Sequence, residues 1–166
     1  MPMRATPVIV VLTIAALAGA GCQQADGPIP VKNEEITNRI EDVAHDLANV
    51  AGGNAQAPGE LTEDLVGFLE GGPGRDAAQE LGRRLGTAVA NKRVSDENAR
   101  KLADRLWVGM AARELSERQR EEVVNDVRDL LTSMSVERTA IDSVAAQTTA
   151  LQQAVTTRPR RWYERF

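Results

Sequence analysis

The sequence is poor in the residues that most often build catalytic and metal sites. Its 166 residues include one cysteine, Cys22, one histidine, His45, and few aromatics. A lone cysteine excludes an intramolecular disulfide, and a lone histidine excludes the paired histidines of carboxylate-bridged metal centres in helical bundles. We find no nucleophile elbow, phosphate loop or metal-ligand cluster, and we expect a solvated His45. The sequence thus predicts a protein that is not an enzyme and has no cofactor, metal or small-molecule substrate.

Basic charge is scarce and unevenly placed. The chain has 20 Lys and Arg against 24 Asp and Glu, a net charge of −4. Four of the arginines, Arg158, Arg160, Arg161 and Arg165, lie in the last nine residues, so the rest of the chain is clearly acidic. Because phosphate binding depends on clustered Lys and Arg, this distribution argues against a nucleic-acid partner.

Alternating β-branched patterns are absent over any useful length. Ala, Leu, Val, Glu, Arg and Asp dominate instead, and aromatic residues make up 3% of the chain. This is the composition of helices with an aliphatic core. We predict an all-α fold, a small helical bundle of about five helices in residues 33–157.

The N-terminus has the organisation of a secretory signal. Arg4 precedes an apolar stretch from Pro7 to Ala18, and the small residues of 19–21 follow, before Cys22. The apolar stretch is shorter than the ~20 residues of a comfortable membrane span, which makes a retained anchor helix the weaker interpretation.

This segment resembles the bacterial lipoprotein signal, in which a small-residue box ends at the cysteine that becomes lipidated. Gly19 stands where that family usually has an aliphatic residue, and Gln23 resembles the sorting pattern for the outer membrane. The resemblance implies a signal peptide at 1–21, a lipid (palmitate) on Cys22, a flexible tether over 22–32 and a place in the cell envelope. In a cell with two membranes, that place is the periplasmic face of the outer membrane. The alternative is an ordinary cleaved signal followed by a free cysteine.

Helix signals divide the body of the chain. Asn33 is a suitable N-cap for a first helix whose apolar residues are spaced four, three, four, three; they are Ile36, Ile40, Val43, Leu47 and Val50. A second helix is predicted from a Thr62 cap to Glu70, a third over 75–92 and a fourth from Ser95. In the third, Gly82 and Gly86 predict close approach of another helix.

The region after Ser116 carries an unbroken heptad pattern. Its seam positions are Val123, Val127, Leu130, Met134, Glu137, Ile141, Val144, Thr148, Leu151 and Val155. We predict a single helix of about 40 residues, with a possible bend at 133–135. Its apolar face either packs internally against the first helix, or projects as a self-associating coiled coil.

Leu115-Ser116-Glu117-Arg118-Gln119 resembles the Leu-Thr-x-x-Gln motif of a family of small periplasmic helical chaperones and metal-response proteins. Residues 94–98 form a looser copy. The resemblance implies a cradle-like homodimer that holds unfolded clients or reports envelope stress. Ser116 and Gln119 also have the spacing of a capping box, which any helix start can use.

The tail 158–166 combines basic and aromatic residues. The candidate interaction residues are Arg158, Arg160, Arg161, Trp162, Tyr163 and Phe166. Aromatic rings and arginines favour membrane interfaces, so the tail could contact a membrane or envelope polymer, dock a protein, fold back on the bundle or remain unstructured.

These observations favour a membrane-anchored envelope lipoprotein that serves as a non-enzymatic helical scaffold, adaptor or assembly factor. Its partners would be the membrane, through the lipid, and a protein or second copy, through a helical face. A client-binding chaperone or envelope stress sensor is the alternative.

Overall fold

The computed structural model describes residues 34–69, 74–111 and 115–156. In this part of the chain six helices are present and strands are absent, which confirms the predicted all-α bundle. The helices are α1 Glu34–Ala51, α2 Ala57–Gly67, α3 Arg75–Val89, α4 Asp96–Ala111, α5 Glu117–Ser133 and α6 Arg138–Thr156.

The helices form a closed circuit around one core. Going round it, α1 packs on α2, α2 on α3, α3 on α6, α6 on α5, α5 on α4, and α4 on α1. The predicted stripe of α1 faces this core, since Ile40, Val43, Leu47 and Val50 are all buried. Burial of such stripes supplies most of the stability of helices this short.

The predicted 40-residue helix is wrong. α5 ends at Ser133, Ser135 adopts a left-handed conformation with φ of 59°, and α6 begins at Arg138. A left-handed residue is the usual way to end a helix, and here it folds α6 back against α5. The heptad pattern continues through the turn because each helix buries an apolar stripe of its own, which includes Val127 in α5 and Val144 in α6.

The main neighbours of α6 are α3 and α5, so the predicted packing against the first helix is also wrong. Two polar contacts join α6 to α3. Arg84 Nη1 donates to Ser143 Oγ at 2.5 Å, and Gln147 Nε2 donates to the Ala77 carbonyl at 3.1 Å. The thin, Thr- and Gln-rich seam of α6 therefore lies inside the bundle, with Thr148 only 2% exposed.

The start of α2 also differs from the prediction. The helix begins at Ala57, with Pro58 in its first turn, and Thr62 lies inside it. Proline is well placed there because the first helical N–H groups have no partner to lose. Instead of capping the helix, the Thr62 hydroxyl donates to the Pro58 carbonyl at 2.8 Å.

Candidate functional site

The site residues predicted from sequence lie outside the described residues. This applies to Cys22 and to all six residues of the tail, Arg158, Arg160, Arg161, Trp162, Tyr163 and Phe166. Their roles stay predictions. The described residues contribute two further features, a buried acidic pair and a polar groove.

His45 lies on an outward face of α1. Its side chain is 75% exposed, and its Nδ1 is 3.1 Å from Asn49 Nδ2 and 3.9 Å from Asp46 Oδ1. Among the described residues, no group of three or more histidine, cysteine, aspartate or glutamate side chains is arranged to hold a metal ion.

Asp46 of α1 is a buried acid, which the sequence analysis did not single out. It is 6% exposed and faces Asp64 of α2, close enough for the two carboxyl groups to share a hydrogen bond when one carries a proton. Within the described part of the chain, Asp46 Oδ2 has no hydrogen-bond partner. A signal existed in the sequence: Asp46 is three residues after Val43 and four before Val50, on the buried face of α1.

The pKa of Asp46 is raised to about 6, chiefly by burial, and also by the charge of Asp64, the shared hydrogen bond and the charge of Glu60. His45 acts in the opposite direction. Burial also raises the pKa of the Asp64 carboxyl. Two carboxylates at close range cannot both ionise cheaply, so the pair retains a proton at a pH where exposed acids are charged. The arrangement couples α1–α2 packing to pH.

A polar groove lies between α5 and α6. Its volume is about 470 Å³, within the range of small-ligand sites. The lining residues are Glu117, Arg120, Glu121, Val124, Asn125, Arg128, Thr149, Gln152 and Gln153. We call this the α5–α6 groove.

Two hydrogen-bond donors in the α5–α6 groove lack acceptors. Arg120 Nε and Gln152 Nε2 are both buried, with no partner in the described structure. Gln152 is 4% exposed, and a Cβ built on Gly109 of α4 would lie 3.6 Å from its Nε2. Buried donors are nearly always satisfied in folded proteins, and two in one groove indicate a site for an oxygen-rich group.

A second groove, between α4 and α5, is lined by several polar side chains that already have partners. Arg105 Nε bonds Asp126 Oδ2 at 3.0 Å, Asn98 Nδ2 donates to Ser133 Oγ at 3.3 Å, and Lys101 bonds Glu97 at 2.5 Å. It is therefore a weaker candidate for a ligand site than the α5–α6 groove.

The Leu115–Gln119 motif has a structural role at the start of α5. Gln119 N donates to Ser116 Oγ at 3.3 Å, and Ser116 N donates to Gln119 Oε1 at 3.0 Å, which completes a capping box. Ser95 caps α4 with a single hydrogen bond, accepting from Asn98 N at 3.2 Å. Leu115 is buried beside Val108 and Val123. The motif's polar pattern is thus accounted for by helix capping.

Comparison of the chain with protein-family models, curated proteins and solved structures gave no match. None of the described helices is both long and apolar enough to cross a membrane.

Proposed function

We propose that the protein is a lipid-anchored, non-enzymatic helical adaptor of the cell envelope. The observation that carries this proposal is the sequence from Leu17 to Cys22, which places the single cysteine directly after a small-residue box and an apolar stretch. Lipid on Cys22 would tie the chain to the membrane surface, with 1–21 removed as the signal peptide.

The length of the proposed tether suits this arrangement. Residues 22–32 would link the lipid to the bundle, whose first described residue is Glu34. A flexible tether of that length has a root-mean-square span of roughly 20 Å. The acidic bundle would therefore stand near the headgroups, free to meet a protein partner, without being held flat on an anionic surface.

The α5–α6 groove gives the adaptor a place for binding. Its two buried donors lack acceptors, whereas several polar side chains of the groove between α4 and α5 already have partners. The raised-pKa acids Asp46 and Asp64 lie between α1 and α2 and line neither groove, so they are better suited to controlling packing than to acid–base catalysis.

Lipidation is tested by metabolic labelling with palmitate in a bacterial host that expresses the full chain. We expect label on the wild-type protein, none on Cys22→Ser, and equal or stronger labelling of Gly19→Leu, which completes the aliphatic position of the box. Label that survives Cys22→Ser, or a cleaved wild-type protein without label, would contradict the anchor.

The adaptor role is tested by crosslinking in the envelope. Wild-type protein should give a discrete crosslinked product that a charge change in the groove, Arg120→Glu, abolishes. A purified Cys22→Ser protein that is monomeric, with no product from the wild type in cells, would count against an adaptor while leaving the anchor intact.

The chaperone alternative has less support, because Ser116 and Gln119 are used in capping α5. It predicts that the purified protein suppresses aggregation of an unfolded model protein. Equal aggregation with and without the protein, measured by light scattering, would remove it.

A further inference from the structure

The α5–α6 groove lies at the open end of a helical hairpin. The helices are joined by the short turn at 134–137 and run antiparallel, so the start of α5 lies beside the end of α6. The α6 residues that line the groove, 149–153, are in the last two turns before Thr156. The last described residue of α6, Thr156, is therefore about one helical turn beyond Gln152.

The two unpaired polar groups in the groove need a hydrogen-bond acceptor. Arg120 Nε and Gln152 Nε2 are donors, and the first belongs to a permanently charged guanidinium, so a carboxylate matches them best. The Gln152 amide lies against α4, where a Cβ built on Gly109 would be at ordinary contact distance, 3.6 Å, from Nε2.

The outer edge of the groove is negatively charged, opposite to the Arg120 guanidinium. Glu117 and Glu121 line it from exposed positions one turn apart on α5, whereas Arg128 is already turned to Asp142 at 3.6 Å. A complementary ligand therefore carries one carboxylate with positive charges close on either side.

The chain contains such a segment next to the groove. Residues 157–166 follow α6 directly, and their single acidic residue is Glu164, between Arg161 and Arg165. Glu164 is eight positions beyond Thr156, a reach of up to ~26 Å, several times the length of one helical turn. Attachment also gives the segment a high effective concentration at the groove.

We propose that segment 157–166 docks into the α5–α6 groove of its own chain. The Glu164 carboxylate accepts hydrogen bonds from Arg120 Nε and Gln152 Nε2. The flanking arginines lie beside Glu117 and Glu121. This proposal does not depend on the lipid anchor; it gives the groove an intramolecular occupant that a partner with a similar acidic group must displace.

The first test reads the two donors directly by NMR. In the full chain carrying Cys22→Ser, in detergent, the side-chain N–H resonances of Arg120 Nε and Gln152 Nε2 should move upfield when Glu164→Gln removes the charge. The tail variant leaves every described helix unaltered, so loss of fold does not confuse the result. Unchanged resonances would overturn the proposal.

A charge swap tests the pairing. Arg120→Glu should release the tail, seen as stronger acrylamide quenching of Trp162 fluorescence in a Trp107→Phe background, and Arg120→Glu with Glu164→Arg should reduce quenching again. Lys101→Glu is the matched control, with the same charge change on α4 outside the α5–α6 groove. Equal quenching in the single and double variants would contradict the pairing.

The third test distinguishes docking within one chain from docking between chains. A chain ending at 156 contains every described helix; circular dichroism checks that it folds, and it should bind an added peptide of residues 157–166. The full chain should bind that peptide more weakly, because its groove is occupied. Equal binding, binding to neither protein, or a full chain that dimerises through its tail would each overturn the proposal.

Discussion

Thr62 of α2 lies directly over Gly82 of α3. A Cβ built on Gly82 would be 2.7 Å from Thr62 Oγ1 and 2.9 Å from its Cα, distances that real side chains do not tolerate. Gly86, one turn later in α3, is different, since its added Cβ would be 3.7 Å from the nearest atom, Pro58 Cβ. The expected close approach is therefore confirmed, with Gly82 making the tight contact.

This contrast predicts opposite effects of the same substitution. Gly82→Ala should lower the free energy of unfolding by about 1–3 kcal/mol, because α2 has to move away. Gly86→Ala should raise it by up to ~1 kcal/mol through better helix propensity. Urea unfolding followed by circular dichroism measures both. Equal effects from the two variants would show that the α2–α3 contact is looser than described.

The acidic pair predicts stability that falls as pH rises. The pKa of Asp46 is raised in the folded state from 3.8 to about 6, so the folded protein binds more protons than the unfolded chain across that interval. The contribution is fully present below 3.8 and is lost as pH rises through about 6.

Asp46→Asn keeps the shape and a donor toward Asp64 but does not ionise. We expect it to raise the free energy of unfolding by roughly 1–3 kcal/mol at about pH 7.5, and to have little effect at about pH 4. Asp129→Asn, at an exposed position of α5 away from the pair, is the control. Parallel stability curves for wild type and Asp46→Asn would argue against a shared proton.

Ser135 offers a test of the turn between α5 and α6. Because its φ is 59°, Ser135→Gly should stabilise the protein by about 1 kcal/mol. In one continuous helix the same change would destabilise the protein by a few tenths of a kcal/mol. The sign of the change in unfolding free energy therefore distinguishes a turn at Ser135 from a continuous helix.

Ser133→Gly is the matched control for that test. Ser133 is helical, and its hydroxyl donates to the Leu130 carbonyl at 2.6 Å and accepts from Asn98 at 3.3 Å. Its replacement should destabilise the protein by about 1 kcal/mol, measured in the same urea titration.

The capping box at the start of α5 can be separated from any role in client binding. Ser116→Ala should lower the free energy of unfolding by about 1 kcal/mol, whereas Ser116→Asp, another good N-cap, should be nearly neutral. Thermal unfolding by calorimetry measures the difference. Chaperone activity lost in both variants alike would indicate that the serine acts beyond capping.

Patterns local to each helix were readable from the sequence. The stripe of α1, the caps at Ser95 and Ser116 and the small face of α3 are set by spacing along one helix, and the structure has them as predicted. The start of α2 was missed because Pro58 and Gly59 are typical of loops as well as of first helical turns.

The candidate site was much less predictable. Arg120 and Gln152 are 32 positions apart in the chain and have no motif in common. Their unsatisfied donors exist because α5 and α6 fold back on each other and α4 approaches at Gly109. Asp46 could have been flagged by its position on the buried face of α1, but its partner Asp64 depends on how α2 packs.

By itself, the sequence determined that the chain builds aliphatic, amphipathic helices, and it supplies the pattern that predicts lipid at Cys22. Tertiary structure alone decided where the long heptad is interrupted, that α6 lies against α3, and which polar groups meet. The physical reason is that periodicity fixes one apolar face per helix. It specifies neither the left-handed backbone of a single residue such as Ser135 nor which buried face packs against which, because those depend on the joint packing of all six described helices.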